Sequence, residues 1–127
     1  MAASGAERLD EGMELRIKRV YNDPAPEDGF RVLVDRLWPR GLSKERAHLD
    51  LWAKDVAPST ALRTAFHHEG MSWSDFEAAY RAELAGPTRP ALDALRAELA
   101  AHAVVTLLHS VHDAHNHAVL LEAALRG

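Results

Sequence analysis

The sequence contains no cysteine, which excludes disulfide bonds, thiolate metal ligands and cysteine nucleophiles. It also has no apolar run approaching the roughly 18 residues that a transmembrane helix needs, so we expect no membrane span. The first residues, MAASGAERLDEG, lack the charged start and the apolar segment of a signal peptide. We therefore expect a cytoplasmic protein in which a flexible extension, residues 1–12, precedes a single domain, residues 13–127.

Positive charge is not in excess. The sequence has 15 Lys and Arg residues and 19 Asp and Glu residues, so its formal net charge is -4. This balance argues against a protein that binds nucleic acid over its whole surface, although it is compatible with a local basic cleft. The motifs GxGxxG, GxxxxGKS/T and GxSxG are absent as well. The sequence therefore lacks the usual signatures of dinucleotide-binding proteins, P-loop NTPases and α/β-hydrolases.

Three apolar stretches predict β-strands, at about residues 15–21, 30–34 and 104–108. The first alternates in part between apolar and polar residues, as a half-buried strand does. The other two are more uniformly aliphatic, which is typical of strands that are covered on both faces. A chain of 127 residues with 47% hydrophobic residues is long enough to bury these strands in one core.

Helical periodicity and capping residues predict five helical segments. They begin after Ser43, after Ser59, after Ser72, near Thr88 and near Ala114. The first is predicted to run to about Asp55, with Leu49 and Trp52 on one face, and the last is predicted to be capped by Asp113 or Asn116. The order of elements predicts an α/β fold, with a small, mostly parallel sheet of three to four strands flanked by helices.

The second predicted strand ends in a polar loop that contains Asp35, Arg36, Trp38 and Arg40. Loops at the carboxyl ends of buried strands are where α/β proteins usually bind ligands. Two guanidinium groups around a tight turn suit a phosphate or a carboxylate, and the Trp38 ring offers a stacking surface. The alternative is an ion pair of Asp35 with Arg36 or Arg40 that only holds the loop in place.

The third predicted strand leads into a histidine-rich segment, with His109, His112, His115 and His117 among nine consecutive residues. Neutral imidazoles at this spacing suit a divalent transition metal or a haem, and we take His109, His112 and His115 as candidate ligands. The turn into the last helix also suits an anion or an acid–base site, because a helix N-terminus presents unpaired N–H groups. The third alternative is structural, with Asp113 as a cap and the imidazoles in solvent.

Four more residues are candidates for closing a cleft between these two loops, namely Lys54, Ser59, Arg63 and His68. Taken one at a time, each cation is also compatible with a solvated surface charge. A histidine at a helix C-terminus is favoured by the helix dipole alone. Trp52 and Trp73 lie on amphipathic faces and are predicted to belong to the core.

The segment 34–41, VDRLWPRG, resembles the signature of the DUF488 family, the YeaO-like proteins. Further elements of the family follow in order, namely W-x-K with APS and LR at 52–63, the aromatic pattern at 66–84, and NHA at 116–118. The resemblance covers about residues 14–126. It implies a compact α/β fold and a set of site positions, without an established substrate.

The chain departs from the family pattern at the end of the third predicted strand. Where the family usually has LLYAAKD, residues 107–113 read LLHSVHD, so that a Tyr and a Lys are replaced by His109 and His112. If that Tyr and Lys take part in chemistry, this member has lost or altered it. The same two replacements create most of the histidine cluster.

These patterns together predict a polar cleft that binds a small anionic ligand, nucleotide-like in chemistry. The predicted contacts are Arg36, Trp38, Arg40, Lys54, Ser59, Arg63, His68 and Asn116. If the protein is a hydrolase or a transferase, His117 is the predicted general acid or base, oriented by Asp35 or Asp113. A haem- or metal-binding protein and a nucleic-acid-associated protein are the alternatives, and a homodimer is compatible with the Leu- and Ala-rich helices.

Overall fold

The computed structural model describes residues 13–112 and 115–127. In this part of the chain four strands form one parallel sheet in the order β1-β4-β2-β3. The strands are β1 Glu14–Arg19, β2 Phe30–Leu33, β3 Leu51–Trp52 and β4 Val104–His109. The predicted α/β fold with a small parallel sheet is therefore confirmed.

Five α-helices and two short 3-10 helices connect the strands within the described ranges. The α-helices are α1 Lys44–Ala47, α2 Thr60–His68, α3 Trp73–Ala85, α4 Arg89–Leu99 and α5 His117–Arg126. The 3-10 helices are Pro26–Asp28 and Lys54–Val56. Among residues 13–112 and 115–127, no helix has the length and apolar character needed to cross a membrane.

The two faces of the sheet are buried by different parts of the chain. Val32, Val34 and Leu107 belong to the larger core, which contains the buried faces of α3, α4 and α5. Leu33 and Leu108 point the other way, because side chains alternate along a strand, and belong to a smaller core beneath α1. The sheet is therefore covered on both sides, as its aliphatic strands predict.

The prediction of a helix from Ser43 to about Asp55 is correct for its first turn and wrong beyond it. Ser43 caps α1 as expected, but the helix ends at His48, whose positive φ of 51° is incompatible with helical continuation. Asp50 then forms two hydrogen bonds with the backbone of Arg31, one as donor and one as acceptor. These long-range contacts draw Leu51–Trp52 to the sheet edge as β3.

The predicted cap positions are confirmed at three helices and refined at the last. Ser59 Oγ and Ser72 Oγ accept the expected backbone hydrogen bonds from Leu62 and Asp75. The last helix begins at His117 rather than near Ala114, because Asn116 is its N-cap and accepts a hydrogen bond from Ala118 N at 3.1 Å. Asp113, the alternative cap, lies outside the described residues.

A buried charge network fixes the connection from β1 to β2. The carboxylate of Asp28 accepts hydrogen bonds from Lys18 Nζ, from Arg31 and from Ala25 N. Its backbone carbonyl accepts a hydrogen bond from Thr106 Oγ1 at 2.7 Å, which joins the connection to β4. Burial raises the pKa of Asp28, but the backbone donor at Ala25, then Lys18 and Arg31, lower it below its ordinary value.

We expect the variant Asp28→Asn to lower the free energy of unfolding by about 3 kcal/mol, because it leaves buried Arg31 without its carboxylate. Urea denaturation at pH 7 measures this change. The control Glu77→Gln breaks the exposed pair of Glu77 with Arg81 and is expected to cost less than about 1 kcal/mol. Equal losses in the two variants would contradict the assigned importance of the buried network.

Candidate functional site

The two loops that the sequence marks as functional meet at the carboxyl edge of the sheet. β2 and β4 are parallel neighbours, so the residues that follow them lie side by side. Asp35, which follows β2, accepts a hydrogen bond on Oδ2 from the backbone N of Ser110, which follows β4, at 3.0 Å. One buried carboxylate therefore joins the two loops across the sheet edge.

A cleft of about 470 Å³ opens at this edge, within the range of small-molecule sites. It lies between the loop after β2, the segment after β4, the start of α5 and the helices α2 and α3. It is lined by Tyr21, Asp35, Arg36, Leu37, Trp38, Pro39, Arg40, Ala57, Pro58, Arg63, Phe66, His67, His68, Phe76, Ser110, Val111, Asn116 and His117. The cleft brings together most of the residues predicted for the site.

His117 is the first residue of α5 and lies on the inner side of the cleft. Its Nε2 is 2.8 Å from the carbonyl oxygen of Val34 and 3.5 Å from Oδ1 of Asp35. Since a carbonyl can only accept, Nε2 carries the hydrogen and Nδ1 of the neutral ring is the acceptor. Burial lowers the pKa of His117, while Asp35 and the bond to Val34 act in the opposite direction. The ring is therefore neutral at pH 7.

The Asp35 carboxylate is only partly satisfied. Oδ2 accepts the hydrogen bond from Ser110, but Oδ1 is buried and forms no hydrogen bond with any described residue. The Nε2 atom of His117 lies 3.5 Å from Oδ1, as a close contact. The predicted pairing of His117 with Asp35 is therefore present as a close contact.

His109 ends β4 and is buried beneath the cleft rather than exposed in it. Burial lowers the pKa of His109, and Asp35 partly opposes this change. His112 is exposed and does not line the cleft, and His115 stacks on the ring of Trp73 with centroids 4.8 Å apart. Among residues 13–112 and 115–127, no three His, Asp or Glu side chains form a group suited to one metal ion.

The guanidinium group of Arg36 holds the chain in front of α2. Its Nε and one terminal nitrogen donate to the carbonyls of Pro58 and Ala57, both at 3.1 Å. Neither of the predicted ion pairs with Asp35 forms. Arg36 therefore lines the cleft, but its guanidinium group is already hydrogen-bonded to the backbone.

Arg40 and Arg63 are different, because their guanidinium groups form no hydrogen bond or ion pair with the described part of the chain. Both line the cleft. The backbone carbonyl of Arg40 accepts a hydrogen bond from Tyr21 at 2.8 Å, which fixes the loop while leaving the Arg40 side chain unpaired. The cleft thus contains two cations that have no partner among residues 13–112 and 115–127.

Trp38 is a structural residue as well as a lining residue. Its Nε1 donates to the carbonyl of Leu42 at 2.6 Å, and its ring meets that of Trp52 edge to face. Trp52 and Trp73 pack against the two cores, as predicted. The Trp38 indole therefore has a fixed orientation at the cleft.

Two predicted contact residues lie elsewhere. Lys54 is placed over the ring of Trp52, 5.0 Å from its centroid, beside a separate groove next to α4. Ser59 caps α2, and its N–H and hydroxyl both donate to the carboxylate of Glu83. Neither residue lines the cleft. Lys54 lies with Trp52 at the edge strand β3, and Ser59 is held by Glu83, which is distant in sequence.

The cleft also contains residues that the sequence analysis did not select, notably Phe66, His67 and Phe76. The rings of Phe66 and Phe76 stack with centroids 4.5 Å apart. His67 lies four residues after Arg63, and this spacing places both on one face of α2. That spacing is the signal in the sequence that identifies His67.

A family model described as the inactive DUF488-N3 subclade matches residues 14–127. The chain belongs to the DUF488 family. It is 43% identical over 115 residues to the uncharacterized protein YeaO of Escherichia coli, covering 90% of this chain and 98% of YeaO. It is 42% identical over 114 residues to the uncharacterized proteins Mb3100c of Mycobacterium bovis and Rv3073c of Mycobacterium tuberculosis, covering 89% of this chain and 94% of each. No solved structure gives a significant match.

In this DUF488 protein we expect Arg36→Met to lower the free energy of unfolding by about 2 kcal/mol, because two carbonyls lose a charged donor. The matched variant Arg40→Met removes an exposed, unpaired guanidinium and is expected to change stability by less than about 0.5 kcal/mol. Urea denaturation of both variants measures the difference. If Arg40→Met were the more destabilised variant, the assignment of the two side chains would be reversed.

Acid is expected to destabilise this DUF488 protein below about pH 6.5, the pKa of histidine in an unfolded chain. Burial lowers the pKa of His109 and of His117 in the folded state. The unfolded chain therefore binds more protons below that pH, so the free energy of unfolding falls as the pH falls. We expect His109→Gln to flatten this dependence between pH 7 and 5, whereas the exposed control His112→Gln keeps it. Parallel curves for the two variants would count against a buried neutral His109.

Proposed function

We propose that the cleft binds a small organic anion, nucleotide-like in chemistry, whose phosphate or carboxylate group is held by Arg40 and Arg63. The observation that carries this proposal is the presence of two unpaired guanidinium groups in one cleft. Arginine binds such groups through paired hydrogen bonds in a fixed plane, and an unpaired arginine is ready to do so without breaking an internal contact.

The charge of the cleft supports an anionic ligand. Arg36, Arg40 and Arg63 contribute three positive charges to its lining, and Asp35 contributes one negative charge. The whole chain, in contrast, has a formal net charge of -4. A local excess of positive charge in an acidic protein attracts anions to one place on its surface.

The apolar residues of the cleft support a ligand that carries a ring. Phe66, Phe76 and Trp38 line it together with the exposed side chain of Leu37. Aromatic side chains in a concave site offer flat surfaces to a planar group, while a few polar side chains determine its orientation. Asn116 and Ser110 provide such polar groups on the inner side.

A binding role is proposed ahead of catalysis for two reasons. The matching family model describes an inactive subclade, which supports binding without turnover. In addition, Nε2 of His117 is engaged by Val34 and Asp35, which leaves only Nδ1 for proton transfer. Acid–base chemistry by His117, as a hydrolase or a transferase, stays a prediction that product analysis can test.

The other hypotheses also stay predictions. Haem or metal binding by His109, His112 and His115 is tested by an absorption spectrum and elemental analysis of protein purified without metal-affinity resin. Nucleic-acid binding would show a steep loss of affinity with salt. A cytoplasmic location and a homodimer are proposed from the sequence alone.

The test uses isothermal titration calorimetry with adenosine monophosphate and with adenosine as probes. We expect the nucleotide to bind more tightly than adenosine, and Arg40→Met combined with Arg63→Met to weaken nucleotide binding at least tenfold. The control Arg89→Met removes a guanidinium that is paired with Asp93 outside the cleft and should leave binding unchanged. Equal nucleotide affinity in the wild type and the double variant would overturn the proposal.

A further inference from the structure

Helix α2 presents two basic side chains to the cleft from one face. Arg63 and His67 are four residues apart, which places their Cβ atoms roughly 5–6 Å from each other on a helix. Both line the cleft, and both are accessible from it. An anion that binds the unpaired guanidinium of Arg63 therefore lies within reach of the His67 imidazole.

Several charged or titratable groups face His67, and they come from three parts of the fold. Arg63 and His68 belong to its own helix, Asp35 follows β2, and His117 begins α5. Burial lowers the pKa of His67, and Arg63, His68 and His117 lower it further, whereas Asp35 opposes them. In the free protein the imidazole is therefore neutral at pH 7, next to a permanent cation.

We infer that His67 is an anion-binding residue of the cleft, and that it takes up a proton from solvent when an anion binds beside Arg63. This inference rests on the proposed anion site and adds a second ligand to it. Neither the sequence motifs nor the family match assigns a role to His67.

The physical basis is the removal of like-charge repulsion. Two cations at this helical spacing repel each other, which disfavours a charged His67 in the empty cleft. An anion placed between them attracts both, so it favours the protonated imidazole. The helix dipole at the carboxyl end of α2 favours positive charge in the last turn with or without an anion, so the change in protonation comes from the anion itself.

The coupling works in both directions. If anion binding promotes protonation of His67, protonation must promote anion binding by the same factor. Affinity for an anion should therefore increase as the pH falls, by up to tenfold per pH unit while His67 of the free protein is neutral. An anion site made of arginines alone would show no such dependence, since arginine stays charged.

The other histidines near the cleft are less suited to this role. His109 is buried below the cleft and does not line it. His117 lines the cleft, but its Nε2 is already bonded to the carbonyl of Val34. His68 is one position further along α2, so it does not share the helical spacing that pairs His67 with Arg63.

Sulfate is the probe for the test, because it stays fully ionised between pH 5.5 and 7.5 and any proton uptake belongs to the protein. Proton NMR of the imidazole Cε1–H groups reports the titration of each histidine with and without sulfate, and the same spectra give the sulfate affinity. The variants are His67→Asn, His68→Asn as the competing histidine that also lines the cleft, and His112→Asn as the exposed control outside the cleft.

We expect sulfate to bind the wild type at least threefold more tightly at pH 5.5 than at pH 7.5, and to raise the titration midpoint of His67. His67→Asn should retain sulfate binding through Arg63 and Arg40 but lose most of this pH dependence. The control His112→Asn should keep both the affinity and its pH dependence, and His68→Asn should keep the pH dependence if the proton is taken up by His67. Arg63→Gln should weaken sulfate binding at both pH values.

Three results would overturn the inference, and they can be told apart. Equal sulfate affinity at the two pH values would refute proton uptake while leaving the anion site intact. A pH dependence that persists in His67→Asn, or that disappears only in His68→Asn, would assign the proton to another residue. Absence of sulfate binding at either pH would refute the anion site itself, together with the proposed function.

Discussion

The insertion of β4 between β1 and β2 is the constraint on which the cleft depends. The backbone of β4 also bonds to the residue that follows each neighbour, through Val20 N to His109 O at 2.7 Å and Val34 N to Leu108 O at 3.0 Å. Because all three strands are parallel, the polar loops that follow them must emerge at one edge. The buried Asp35–Ser110 hydrogen bond then holds two of these loops together.

Asp35 connects this strand arrangement to the side chains of the cleft. Its backbone carbonyl accepts a hydrogen bond from Trp52 Nε1, which ties β3 to the loop, and its carboxylate contacts both Ser110 and His117. Among the described lining residues Asp35 is the one acidic side chain, and its contacts are with groups of the protein itself. The guanidinium groups of Arg40 and Arg63, which bond to no described residue, are consequently not neutralised by this carboxylate.

The sequence predicts the elements that depend on local signals. Aliphatic runs identify β2 and β4, and the side chains of Ser59, Ser72 and Asn116 mark the starts of helices through hydrogen bonds within two or three residues. The predicted helix from Ser43 fails because its local periodicity competes with contacts to Arg31, which is distant in sequence. The pattern of neighbouring residues carries no information about contacts between residues that are distant in sequence.

The same distinction separates the predicted site residues that line the cleft from those that do not. Arg36, Arg40, Asn116 and His117 reach the cleft because each follows a strand that ends at the carboxyl edge of the sheet. Lys54 and Ser59 do not. Lys54 lies over Trp52, which pairing with β2 places at the sheet edge, and Glu83 holds Ser59. Which guanidinium is free and which is engaged also depends on tertiary contacts, as the carbonyls bound by Arg36 show.

The two departures from the family pattern bear on where the charge of the cleft comes from. His109 and His112 follow from β4 at the two positions where the sequence resemblance implies a Tyr and a Lys in other members of the family. One of them, His109, is buried and neutral, and the other, His112, lies outside the cleft. The loop after β4 therefore contributes no permanent positive charge to the described part of the cleft. That charge comes from the β2 loop and from α2, so the proposed anion site and the altered positions belong to different elements. A change that removes chemistry from one of these elements need not remove binding from the other.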